Sequence, residues 1–147
     1  MRRVAVRVPS RVSTITLGVR DFETMRDFYR RLGWEEGTSS GEPYAVFRTA
    51  GALLALFPIA ALAADANAEL EVREGFKGFT LALYVERAQL VDETLAAARA
   101  AGANVVKNPG EAFGGRSGYF ADPEGNRWEV GWLPTVRFDD RGSLLDL

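Results

Sequence analysis

Arg116, Tyr119 and Glu129 fall within one stretch, GGRSGYFADPEGNRWEVGW at residues 114–132, and bring a cation, a phenol and a carboxylate close together. Inside it, Asp122-Pro123-Glu124-Gly125 sets an acceptor side chain, a fixed φ and a residue tolerant of positive φ in the order a tight turn favours. After the turn, Trp128, Val130 and Trp132 alternate with Arg127, Glu129 and Gly131. A strand here projects Glu129 from the face opposite Trp128 and Val130. A carboxylate in mid-strand is either solvated or part of a site. In a site it could exchange a proton, with Tyr84, Tyr119 or Arg116 stabilising charge, or it could receive a hydrogen-bond donor or a cation.

The rest of the composition narrows the chemistry. Among 147 residues there is no cysteine and no histidine. No disulfide or thiolate nucleophile is available, nor is the commonest general base or nitrogen ligand. Only all-oxygen coordination remains, which suits hard ions. Apolar residues make up 47% and charged residues 26%, as in a globular domain. Eighteen basic residues against 20 acidic ones give a net charge of -2, without the concentrated positive field that nucleic acid requires. Arg2, Arg3, Arg7 and Arg11, beside Val4, Val6 and Val8, read as the solvated edge of an extended segment. No run approaches the roughly 18 apolar residues of a membrane helix, and the start lacks the apolar stretch of a secretory signal. No membrane partner and a cytoplasmic location are therefore expected.

The elements that must position these groups follow in order. Residues 1–11 form an arm. Residues 12–19 alternate as a strand, with Ile15, Leu17 and Val19 on its apolar face and Thr14, Thr16 and Gly18 on a small, mildly polar one. Asp21 is a candidate N-cap, and Phe22, Met25, Phe28, Tyr29 and Leu32 recur at helical spacing until Gly33. Strands are expected at 34–37, 44–49 and 52–57, the last placing Leu53, Ala55 and Phe57 on one face. Residues 58–78 are a connector with a short helix near 60–64. Then TLALYV at 80–85 echoes TITLGV at 14–19, about 66 residues earlier. A helix at 88–101 buries Val91, Leu95 and Ala98, a strand spans 104–107, a loop spans 108–115, and the hairpin completes the repeat. Leu144, Leu145 and Leu147 in the tail 135–147 are suited to covering a sheet edge or a neighbouring subunit.

The doubled βαβββ pattern, the DFxxxxxFYRRLG run at 21–33 and the GGRSGYFADPEGNRWEV run at 114–130 together resemble the vicinal oxygen chelate superfamily. This group includes glyoxalase I, extradiol dioxygenases, fosfomycin-modifying enzymes and bleomycin-binding resistance proteins. The resemblance covers residues 12–134 and implies one α+β domain. Module one would span 12–57 and module two 79–132, forming a curved, partly open mixed-sheet barrel around a cavity. Metal-using members carry ligands at positions matching Thr14, Ala55, Thr80 and Glu129. Only Glu129 is a usual ligand, so no metal and no cofactor are expected.

The resemblance to drug-sequestering members implies a metal-independent cavity for a small aromatic or apolar molecule, with a role in sequestration or resistance. Its expected walls are Thr14, Thr16, Leu53, Ala55, Phe57, Thr80, Ala82, Tyr84, Arg116 and Glu129. Arg116 suits a carboxylate or phosphate on the ligand. Alternatively, Glu129 pairs internally with Arg48 or Arg116, and the walls are sheet packing. A second reading is a cofactor-free isomerase or lyase using Glu129 as acid or base. A third is a non-catalytic structural or regulatory homodimer, and a homodimer is expected in any case.

Overall fold

The computed structural model describes residues 7–38, 40–71 and 74–147. Residues 1–6 of the arm, with Arg2, Arg3, Val4 and Val6, lie outside these residues, as does Arg73 of the connector. Strand β1, Thr14–Val19, leads into helix α1, Phe22–Arg31. Asp21 caps that helix: its Oδ1 accepts from the Thr24 backbone N–H at 3.1 Å and its Oδ2 from the Thr24 hydroxyl at 2.8 Å. Gly33 ends it at φ 88°, a left-handed conformation that glycine adopts without steric cost. Strands β2, Ala45–Phe47, and β3, Leu53–Pro58, follow, and β1 pairs parallel to β3 in the order β1-β3-β2.

The expected strand at 34–37 is reduced to a single bridge between Glu36 and Phe47. Side-chain demands override its strand pattern. Arg26 grips both oxygens of Glu36 at 2.9 Å, while Trp34 turns its ring onto Tyr29 and Trp128. The first module therefore has a three-stranded sheet.

Helix α2, Ile59–Asp65, opens the connector. The second module comprises β4, Leu81–Tyr84; α3, Ala88–Ala100; β5, Asn104–Ala112; β6, Gly115–Ala121; and β7, Arg127–Trp132. Its sheet runs β4-β7-β6-β5, with β4 parallel to β7 and the rest antiparallel. The expected loop at 108–115 is instead largely strand. Pro109 and Gly110 look like breakers, yet β5 is an edge strand with register shifts on either side of Lys107, where a missing N–H is tolerated. The tail forms a hairpin of its own, β8, Arg137–Phe138, with β9, Leu144–Asp146. The result is an α+β architecture of mixed sheets that do not close.

One core joins both modules. Leu17, Val19, Leu54 and Leu56 from the first sheet cluster with Leu81, Phe120, Trp128 and Val130 from the second. Helix α1 is the bridge: Phe28 meets Phe120 with ring centroids 6.4 Å apart, and Tyr29 meets Trp128 at 6.2 Å. At its centre the Tyr29 hydroxyl donates to Asp122 Oδ2 at 2.7 Å and accepts from Trp128 Nε1 at 3.0 Å. Burial, then the Asp122 charge, pushes the Tyr29 phenol well above the usual range.

Tyr29→Phe keeps the ring packing but deprives buried Asp122 and Trp128 of a partner. It is expected to lower unfolding free energy by about 1–3 kcal/mol in urea titration with an unchanged m-value. A loss indistinguishable from zero would mean that the bridge does not hold the modules together.

Candidate functional site

Alternation along β7 sends Trp128 and Val130 into the core and Glu129 to the opposite face, as its sequence spacing predicts. Register then assembles its neighbours. Tyr119 of β6 lies directly across from Glu129 on one side and Ala82 of β4 on the other. The Tyr84 hydroxyl donates to Glu129 Oε1 at 2.8 Å and the Tyr119 hydroxyl to Oε2 at 2.7 Å. Each carboxylate oxygen thus receives one phenol. Among the described residues, no lysine or arginine forms an ion pair with Glu129.

Gly131 makes this arrangement possible by lacking a side chain. A Cβ there would sit 2.9 Å from Tyr84 Cε1 and 3.1 Å from Glu129 Oε1, so any larger residue would displace the phenol ring. Burial, reinforced by the hydrogen bond to Glu129, raises the Tyr84 phenol to about 12. The Glu129 hydrogen bond is the main reason that Tyr119 is also raised, with a Thr80 hydroxyl bond acting in the opposite sense. The Lys107 ammonium lies 5.8 Å from the Tyr119 ring centroid. Tyr84, Arg116, Glu129 and Gly131, with Phe113, Trp132 and Leu133, line a cavity of about 270 Å³.

The other expected wall residues are distributed more widely. Leu53, Thr80 and Ala82 line a cavity of about 340 Å³ where the modules meet. Thr16 lines another of about 390 Å³ beside α2. Ala55 is fully buried, Thr14 is exposed, and Phe57 stands edge-on to Tyr44 with centroids 5.8 Å apart. The internal pairing of Glu129 with Arg48 or Arg116 is corrected. Arg48 pairs with Glu35 at 3.0 Å, and Arg116 grips both oxygens of Asp92 on α3 at 2.6 and 2.8 Å. Arg116 is an even-numbered residue of β6 and shares the helix-facing side with Gly118 and Phe120, whereas Tyr119 shares a face with Glu129. Phe113, Trp132 and Leu133 escaped sequence reasoning. Gly131 carried a usable signal, since a glycine inside a strand marks a close approach.

The four positions that the resemblance matches to metal ligands do not fit a divalent ion here. They offer the Ala55 methyl, two neutral hydroxyls from Thr14 and Thr80, and a carboxylate already carrying a phenol on each oxygen. Among the described residues, no group of three or more histidine, cysteine, aspartate or glutamate side chains could hold a metal.

The family model described as the Glyoxalase/Bleomycin resistance protein/Dioxygenase superfamily matches residues 11–130. The chain is similar to the crystal structure of a glyoxalase-related enzyme from Fulvimarina pelagi, at 26% identity over 94% of this chain and 99% of that one, with a TM-score of 0.84. A family enzyme from Burkholderia phytofirmans PsJN is 25% identical over 84% and 99% of the two chains, with a TM-score of 0.74. A lactoylglutathione lyase from Agrobacterium tumefaciens is 25% identical over 86% and 96%, with a TM-score of 0.63. No curated protein matches the chain at a significant level.

The two phenols make the Glu129 cluster visible in a spectrophotometric titration. An unfolded tyrosine ionises near 10.0, and folded Tyr84 near 12. Its contribution to stability is therefore intact below pH 10 and is lost as the pH rises through about 12. Absorbance at the phenolate band is expected to show late-titrating tyrosines that return toward 10 in Glu129→Gln. Identical titrations of the two proteins would show that the carboxylate does not govern the phenols.

Proposed function

The chain belongs to the Glyoxalase/Bleomycin resistance protein/Dioxygenase superfamily, and we propose that it binds a small molecule over Glu129 without a protein-held divalent metal. The observation that carries this reading is the carboxylate itself. Glu129 is half-buried, fixed by two phenols, and has no cationic partner among the described residues. Two neutral donors orient such a group without cancelling its charge. Its natural complement is a ligand bearing an ammonium, an amidinium or another strong donor, with an apolar or aromatic body against Tyr84, Phe113 and Trp132. The desolvation cost of bringing two charges together is offset only by good geometry, and the Tyr84 and Tyr119 bonds supply that beforehand.

Phe113 supports a ligand-facing role for this end of the sheet. It sits at the tip of the β5–β6 hairpin with φ 51° and is 94% exposed. A bulky residue in the left-handed region is strained, and such strain persists where the position serves a function. Leu144, Leu145 and Leu147 of the tail present apolar surface that a second copy of the chain would cover, in line with a homodimer. Light scattering would then give twice the chain's 16.1 kDa mass.

A cofactor-free isomerase or lyase is the second reading, favoured by the hydrogen-bonded line from phenol to carboxylate to phenol. There Glu129 would exchange a proton with substrate, and Glu129→Gln would abolish turnover.

Benzamidine and neutral benzamide distinguish the charge from the ring. Benzamidine is expected to bind more tightly, to lose about tenfold in affinity in Glu129→Gln, and to bind equally well after treatment with a chelator. Equal affinity for both compounds in the two proteins would remove Glu129 from the binding site.

A further inference from the structure

We propose a second ligand site, independent of Glu129, in the cavity of about 390 Å³ between α2, the connector and the end of β1, and infer that it takes an organic monocarboxylate with an apolar or aromatic body. Its volume lies within the roughly 300–1,000 Å³ of small-molecule sites. Ile59 and Leu62 of α2 form one apolar wall, and Phe76 and Phe79 of the connector form another. The phenylalanines are 71% and 44% exposed, unusual for large aromatic side chains beside a concave surface. Gly18 lets α2 approach: a Cβ there would lie 2.8 Å from Ile59 Cγ1.

Two basic residues, Lys77 and Arg20, are among those that line the cavity. Lys77 Nζ donates to Asn126 Oδ1 at 3.1 Å. Buried Asn126 is itself held by Asp122, whose Oδ2 accepts from Asn126 Nδ2 at 2.8 Å, so the amide oxygen has to point at the lysine. The ammonium is thus fixed by a neutral acceptor and keeps donors in reserve. Among the described residues, neither Lys77 nor the Arg20 guanidinium forms an ion pair.

The Glu124 carboxylate on the same wall is taken up by backbone N–H groups. Glu124 Oε1 and Oε2 accept from the Arg20 backbone N–H at 2.8 and 3.0 Å, and Oε2 also from that of Asp21 at 3.1 Å. Glu71 lines the rim with an interaction of its own. Two acidic groups beside two basic ones leave little net positive field for a dianionic phosphate. Glu124 is already held by two backbone N–H groups, so a single carboxylate on the ligand is the charge that the Lys77 and Arg20 side chains are left to receive.

Calorimetric titration with phenylbutyrate and with the neutral alcohol phenylbutanol tests the site in the full chain. The acid is expected to bind at least about tenfold more tightly than the alcohol. Lys77→Met and Arg20→Met should each reduce phenylbutyrate affinity several-fold, and Glu129→Gln should leave it unchanged. Because Lys77 also steadies Asn126, Arg20→Met provides a readout that does not disturb the turn. The proposal is overturned if acid and alcohol bind alike, if Arg20→Met binds the acid as the wild type does, or if Glu129→Gln removes the binding.

Discussion

The buried carboxylate of Asp122 is the point on which the two halves of the molecule depend. It closes its own turn by accepting from the backbone N–H groups of Glu124 and Asn126 at 3.0 and 2.9 Å, and it holds the Asn126 amide at 2.8 Å. Its remaining reach goes to Tyr29, across from the first module. A carboxylate that is 4% exposed is costly unless its lone pairs are filled, and here two backbone amides, one side-chain amide and one phenol fill them. Local turn chemistry and long-range assembly therefore share one acceptor. Neither can be altered without exposing the other to an unsatisfied buried charge.

That shared acceptor also sets the site. Asp122 and Asn126 bracket the turn between β6 and β7, so their bonds determine the register in which Tyr119 meets Glu129. Trp128, one residue before Glu129, is pinned to Tyr29 on the core side. With that indole committed inward, the pleat leaves Glu129 no choice of face. Beyond the turn, Glu124 reaches the backbone at Arg20 and Asp21, so the same four-residue unit organises the entry to α1.

The comparison of Arg116 with Tyr119 shows how much depends on parity. Both stand on β6 near Glu129 in sequence, and both carry donors suited to a carboxylate. Arg116 falls on the helix-facing side and joins Asp92, while Tyr119 falls on the open side and joins Glu129. The bulges of β5 have a related effect, since they keep an edge strand paired through Pro109 and Gly110 where composition reads as a loop.

The helices, the repeat, the turn at residues 122–125 and the outward direction of Glu129 were legible from order alone, because capping, periodicity and turn chemistry act over a few residues. What required tertiary structure was partnership. That Tyr84 and Tyr119 divide the two oxygens of Glu129, that Gly131 makes room for them, and that Trp34 and Glu36 turn their segment away from regular strand pairing all depend on chain segments distant in sequence. Such contacts are selected by competition among partners in a packed and partly desolvated space, and local pattern carries no record of that competition.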